Sequence, residues 1–359
     1  MKRLGILTGG GDAPGLNAVI RSVAKVSRAS GVELWGFKNG FSGLIKEDYV
    51  RLENPHVSGL LPKGGTILGA NNRDDPFNFP VWEGEKVVYK DMSQKVMETL
   101  ETLKIDGLIV IGGDGTLAIA RDLMPLGANV IGVPKTIDND LPGTDQTFGF
   151  DTAVTTATEA LDKLHTTAES HHRVMVLELM GRYAGWIALY SGISGGADII
   201  LIPEIPWHLE KIVEKIRSRQ RNGKNFSIIV VAEGVKAPQG DEVIRKTIKG
   251  SSDPLRLGGI SHIIAGLVEE ATGNESRATV LGHLQRGGSP SPFDRILATR
   301  YGEAAALLAL KGDYGKMVSL KNNDITSVPI KQIPRGYRTV PTNHPLVLTA
   351  KNLGISLGN

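Results

Sequence analysis

Several short apolar runs in this chain end abruptly on glycine or on a polar loop. Leu4–Thr8 runs into Gly9-Gly10-Gly11, Gly107–Ile111 into Gly112-Gly113, and Asn129–Val133 into Pro134-Lys135. Leu108–Ile111, and later Ile228–Val231, are apolar at every position rather than at alternate ones. Such a strand needs cover on both faces, as in parallel sheets flanked by helices. Strands are expected also at Val32–Phe37, Arg173–Glu178, Ile199–Ile202, Ser227–Ala232 and Ala278–Leu281. Helical patterns fall between them, at Leu16–Arg28, Met92–Leu103, Leu117–Leu123, Ala153–Ala168, Leu209–Arg221, Ile260–Ala271 and Arg295–Leu310. The alternation gives an α/β fold. With 359 residues, 41% of them hydrophobic, the chain exceeds one ordinary core, so two lobes are expected. The polar stretch Arg73–Lys90 reads as a surface insertion. Pro329, Pro334, Pro341 and Pro345 suggest an irregular C-terminal wrap.

Composition removes several function classes. With no cysteine, disulfides, thiol catalysis and Cys-ligated zinc are excluded, and a cytoplasmic location is the default. The 41 Lys and Arg nearly balance the 38 Asp and Glu, and no basic run suggests a nucleic-acid surface. No apolar stretch approaches a membrane span or a secretory leader.

In open parallel sheets, ligands bind beyond the carboxyl ends of the strands. The glycine turns stand there. Gly9 to Gly15 opens a helix, whose free N–H groups and positive dipole end suit an anion. A tight turn with no ligand would use the same glycines. The turn is neither a P-loop nor a GxGxxG fingerprint. Gly112-Gly113-Asp114-Gly115-Thr116 repeats the arrangement with a carboxylate inside it. Beside phosphates, that carboxylate is favourable when a magnesium ion bridges them. A helix-capping aspartate would look the same. Pro134-Lys135-Thr136-Ile137-Asp138-Asn139-Asp140 carries two carboxylates, one of which can take a proton from a hydroxyl, while Lys135 can neutralise a phosphoryl group. A solvent-exposed Asp/Asn turn is the bland alternative. Arg173, Met180-Gly181-Arg182, Glu233, Arg277 and His283-Leu284-Gln285-Arg286 lie near strand ends in the second half. Arginine forks match phosphate oxygens, and Glu233 could bind sugar hydroxyls. Taken singly, each arginine also fits a surface ion pair.

Six segments in register resemble the 6-phosphofructokinase family over nearly the whole length. They are Leu7–Asn17, Gly64–Gly69, Gly112–Thr116, Pro134–Asp140, Met180–Arg182 and Thr279–Pro290. The resemblance implies a donor-binding lobe of residues 1–149 plus about 290–338. A sugar-phosphate lobe would hold about 150–289 plus 339–359. It implies that Gly10, Arg73, Gly113, Gly115 and Thr116 hold the phosphoryl donor and that Asp114 binds Mg2+. Asp138 would be the general base on the 1-hydroxyl of fructose 6-phosphate, supported by Asp140, Lys135 and Arg182. Thr136, Ile137, Met180, Gly181, Glu233, His283, Leu284, Gln285 and Arg286 would complete the sugar-phosphate site. In this family Arg173 and Arg277 reach a neighbouring subunit's site, implying a homo-oligomer, usually a tetramer. The expected reaction is ATP-dependent formation of fructose 1,6-bisphosphate in glycolysis.

Two positions bear on the donor. In this family a glycine after the magnesium aspartate, here Gly115, leaves room for the α-phosphate of ATP, where an aspartate would block it by bulk and charge. Lys135 is typical of pyrophosphate enzymes. The combination resembles the family's mixed-substrate group. ATP is the first choice, because a lysine adds a cation without excluding a nucleotide. A pyrophosphate-dependent phosphotransferase is the alternative. A silent regulatory subunit is disfavoured by intact Asp114, Asp138 and Arg182, and a dinucleotide oxidoreductase by the missing GxGxxG.

Overall fold

A computed structural model describes residues 1–84, 86–238, 240–247 and 255–359. The first part of the chain supplies β1 (Arg3–Thr8), β2 (Glu33–Phe37), β3 (Tyr49–Arg51), β4 (Phe79–Glu83), β5 (Lys86–Lys90), β6 (Gly107–Gly112) and β7 (Val130–Pro134). The middle supplies β8 (Val174–Leu179), β9 (Ile199–Leu201), β10 (Ser227–Ala232), β11 (Ile244–Thr247), β12 (Leu255–Leu257) and β13 (Ser276–Val280). The last part adds β14 (Lys316–Lys321) and β15 (Asp324–Pro329).

Among the described residues these strands form two main sheets. One has seven strands in the order β15-β14-β7-β6-β1-β2-β3; the other has four, β13-β8-β10-β9. The four-stranded sheet is parallel throughout. The larger one is parallel except at its outer strands β3 and β15. This is the expected α/β class.

The apolar runs explain why. In β6, Ile109 and Ile111 face one core layer with Ile131, Val133 and the helix Leu16–Ala29. Leu108 and Val110 face the opposite layer with Val130, Leu117 and Leu123. All six residues of β6 are buried, and so are all six of β10 in the second sheet. A strand covered on both sides has no polar face to alternate. The second sheet packs in its own core with the helices Phe150–His171, Trp186–Ser194 and Ile260–Thr272.

Three departures from expectation have local causes. Within Arg73–Lys90 the polar stretch forms an antiparallel hairpin of β4 and β5, with every β5 residue exposed. After Val328 the chain is less irregular than its prolines suggest, because Pro345 heads a helix, Pro345–Asn352. Proline at the first helical turn loses no hydrogen bond. Third, β14 and β15 form a hairpin at the sheet edge, closed by Asn322 and Asn323, both at positive φ.

Candidate active site

The order β7-β6-β1 makes three loops neighbours, since they leave adjacent parallel strands at the same end. The loop after β1 is pinned by Gly9 N–H to Ile111 O (2.9 Å) and Gly10 N–H to Asn71 O (2.9 Å). Exposed Arg73 stands two residues beyond Asn71. Gly10 has φ +73°, a left-handed conformation that favours glycine. A Cβ on Gly9 would lie 2.5 Å from Thr116, and one on Gly112 would collide with the same side chain. Thr116 is therefore buried between the ends of β1 and β6, packing the two loops together. Gly115 is different: a Cβ there meets nothing within 4 Å, and its φ is not positive. Neither packing nor backbone demands glycine at 115.

The loop after β7 crosses beside them. Lys135 N–H donates to Gly112 O (3.0 Å), and the buried Lys135 ammonium donates to Gly11 O. Burial pushes Lys135 down to about 7, with nearby Arg286 adding to the fall and Asp12, Asp138 and Asp140 opposing it. Arg286 donates to Asp12 O (3.1 Å) and lies against Gly11. Two cations thus flank the first glycine turn.

Asp138 N–H donates to the Thr136 hydroxyl (3.1 Å), and Thr147 hydroxyl holds Thr136 O (2.6 Å). The Oδ1 of Asp138 is buried and accepts no hydrogen bond from a described residue. Burial raises the Asp138 pKa against the pull of Arg286 and Lys135. Asp140 is raised by burial and then by the Asp138 charge, with a further push from Asp114. Asp114, first residue of the helix Asp114–Leu123, is also raised by burial, against Arg121 and Arg335. The cap position belongs to Gly113. Asp140 thus feels the charge of both Asp138 and Asp114, which places it near each.

The second sheet faces this cleft with its own carboxyl ends. Glu233, after β10, donates its N–H to Leu179 O (2.9 Å), and Gly234 N–H donates to Gly181 O (3.2 Å). The Glu233 carboxyl is pushed up to about 8 by burial, then by Asp138 and Glu178, while Arg286 and Arg182 pull it down. The Asp138 charge therefore reaches Glu233, which stands at the carboxyl end of the second sheet. Arg182, just after Met180 and Gly181, lies over the Tyr183 ring at 4.8 Å. His283 and Leu284 are exposed after β13, whereas Gln285 is fully buried and donates to Gly282 O (3.1 Å). Ile137 is buried in the core shared with Ala13 and Phe150.

Arg173 and Arg277 are not brought to this cleft. Arg173 precedes β8 and pairs with Glu275 at 2.8 Å; Arg277, at the start of β13, pairs with Glu275 as well. Both stand at the amino ends of the strands. The run from Arg173 to Met180 spans about 23 Å at ~3.3 Å per residue. Both lie near strand ends, as expected from the sequence, but at the end opposite to Glu233 and Arg182.

A C-terminal segment joins the cleft without any sequence signal of its own. Tyr337 stacks on Tyr183 at 4.0 Å and 15°. The Arg338 guanidinium holds Asn139 O, 199 positions away in sequence.

Magnesium demands few protein ligands, usually one or two carboxylates plus phosphate oxygens and water. Among the described residues no cluster of three or more His, Asp or Glu could hold a metal alone. Asp114, beside two further carboxylates and a turn with space at Gly115, fits an ion brought in with a polyphosphate. Glycine-turn amides, Lys135 and Arg286 can take the phosphate charge. Asp138 can take a proton.

A sequence model of the phosphofructokinase family matches residues 3–309. An ATP-dependent 6-phosphofructokinase 2 of Clostridium perfringens is 52% identical over 100% of this chain and 99% of its own length. A pyrophosphate–fructose 6-phosphate 1-phosphotransferase of Streptomyces coelicolor is 48% identical over 94% of this chain and 96% of its own. The crystal structure of a pyrophosphate-dependent phosphofructokinase from Nitrosospira multiformis superposes with TM-score 0.81 at 22% identity, covering 100% of this chain and 93% of that one, a likeness of fold.

Proposed function

The chain belongs to the phosphofructokinase family, and on that premise we propose that it transfers the γ-phosphoryl group of ATP to the 1-hydroxyl of fructose 6-phosphate. One observation carries this reading. Lys135 ties the loop of Asp138 and Asp140 to both glycine turns, and Arg286 reaches the first of those turns from the second sheet, whose Glu233 feels the Asp138 charge.

The donor's phosphates lie along Gly10, Gly11, Gly113 and Thr116, with Arg73 at the outer end. Asp114 would hold magnesium, which when bound would supply divalent charge against the donor's phosphates. The sugar phosphate lies against Arg182, Arg286, Glu233, Met180, Gly181 and the His283–Gln285 turn. The sugar 1-oxygen forms a bond to the γ-phosphorus as the bond from that phosphorus to the β-bridging oxygen breaks, and the 1-hydroxyl proton goes to Asp138 Oδ1. A buried oxygen with no partner and a raised pKa is poised for this proton. Thr136 and Ile137 hold the loop in place. Lys135 and Arg182 offset charge on the transferring group, so catalysis is mainly positioning and electrostatics.

Gly115 favours ATP because the fold has no need of glycine there, so its missing side chain serves the ligand. Pyrophosphate remains the second reading, on the Lys135 ammonium beside Gly10 and Gly11. Measuring fructose 1,6-bisphosphate formation with each donor tests the choice. ATP turnover well above that with pyrophosphate is expected; the reverse would hand the role to pyrophosphate.

Arg173 and Arg277, remote from this chain's own cleft, serve the cleft of another copy, most economically in a tetramer. The cytoplasm is the proposed compartment and glycolysis the proposed setting. No helix among the described residues is long and apolar enough to cross a membrane.

A further inference from the structure

The turn that carries Asp138 and Asp140 is held from outside by two residues, Thr147 and the distant Arg338. Asn139, between them, is left-handed at φ 52°. Asparagine tolerates that region at a modest cost, and such residues persist where their surroundings over-determine them. On one side Asn139 Oδ1 accepts from Thr147 N–H at 3.0 Å. On the other, Asn139 O accepts from Arg338 Nη2 (2.8 Å) and Nε (3.2 Å). Arg338 N–H also donates to Asp140 O at 2.6 Å. Two successive carbonyls of the acidic turn are therefore fixed by Arg338.

The same residue is anchored in the opposite lobe. Its guanidinium lies 4.7 Å from the Trp186 ring centre, and Trp186 Nε1 donates to Arg338 O (2.8 Å). Trp186 opens the helix that follows Arg182 and Tyr183. Two residues on, Val340 N–H donates to Glu204 Oε1 (2.7 Å), a carboxylate that also takes Gly185 N–H (3.0 Å). Arg338 is half-buried and makes no ion pair among the described residues, so its charge-assisted hydrogen bonds are spent on the turn.

We propose that Arg338 is a positioning residue for the reaction: through the carbonyls of Asn139 and Asp140 it aims the two carboxylates and locks their turn to the lobe that carries Arg182. The proposal rests on the phosphotransfer reading for its rate effect, but its structural half stands alone. A fork that holds one carbonyl through two N–H groups cannot be matched by an ammonium.

The test measures kcat, KM and hydrogen exchange for Arg338→Met and Arg338→Lys in the full chain. Misplacing a base by about 1 Å costs on the order of 10²-fold, so Arg338→Met should lose about that much kcat while KM for both substrates stays within about threefold. Arg338→Lys, which keeps a donor, should lose less, and added guanidinium should restore part of the Arg338→Met rate. Amides of residues 136–147 should exchange faster in Arg338→Met. Should Arg338→Met fail to fold, Arg338→Lys carries the same comparison. A kcat within about threefold of wild type, or a loss expressed in KM alone, would overturn the proposal, as would unchanged exchange of the turn. An inactive wild-type protein would instead refute the phosphotransfer reading and leave the exchange measurement to judge Arg338.

Discussion

Replacing Gly115 by aspartate separates what the fold needs from what the ligand needs. A Cβ at 115 meets nothing within 4 Å, and the residue lies in the first turn of the helix Asp114–Leu123. There a carboxylate gains about 0.3–1 kcal/mol from the helix dipole, against a small loss from crowding Asp114. Stability should hardly change. The donor should feel the substitution strongly. A new carboxylate at about 4 Å from an α-phosphate charge costs roughly 4 kcal/mol at an effective dielectric of 20. At ~1.36 kcal/mol per tenfold, that is on the order of 10³ in kcat/KM for ATP. Pyrophosphate has no α-phosphate and should keep or gain its rate. The assay follows fructose 1,6-bisphosphate with either donor, and scanning fluorimetry follows Tm. ATP turnover within about tenfold of wild type, at unchanged Tm, would refute the argument that space at 115 is reserved for the nucleotide.

Other perturbations probe the remaining parts. Asp138→Asn should lose about 10²–10⁴ in kcat while calorimetry finds fructose 6-phosphate binding preserved; near-normal turnover would dismiss the base. Glu233, raised by burial to about 8 from 4.5, gives stability that is whole below pH 4.5 and is lost as pH rises through 8. Glu233→Gln should therefore gain Tm over wild type progressively across that window, and parallel Tm curves would contradict the burial. Arg173→Met loses an ion pair whose side chains are 25% and 41% exposed, worth about 0–1 kcal/mol, so its Tm should hold. Mixed with Asp138→Asn chains it should recover activity if sites are shared, and no recovery would place both residues in one chain's site.

Much of the sheet architecture is legible because β6, β10 and their neighbours are apolar on both faces and stop at glycine. The helix Trp186–Ser194 is not legible, because its sequence is almost wholly apolar although Tyr190 and Ser194 are exposed, so no period shows, and Gly185, Gly192 and Gly195 look like breakers. The β14–β15 hairpin did carry a signal, in Asn322-Asn323, where two successive left-handed residues make the tight turn. In the site, Gly113 to Thr116 and Lys135 to Asp140 are readable because each leaves its strand into a loop dense in chemistry. Arg338 is not, since its hydrogen bonds to Asn139 and Asp140 exist only once two distant segments meet. Arg173 misleads in the opposite sense: its strand was visible, but not which end of the sheet it occupies relative to Glu233.

The most direct test is a crystal structure with magnesium, a non-hydrolysable ATP analogue and fructose 6-phosphate bound together. The account predicts the metal on Asp114 between donor phosphates, and the sugar 1-oxygen within about 2.6–3.2 Å of Asp138 Oδ1. A sugar hydroxyl turned away from Asp138, or a nucleotide seated outside the Gly9–Gly11 and Gly112–Thr116 turns, would contradict it.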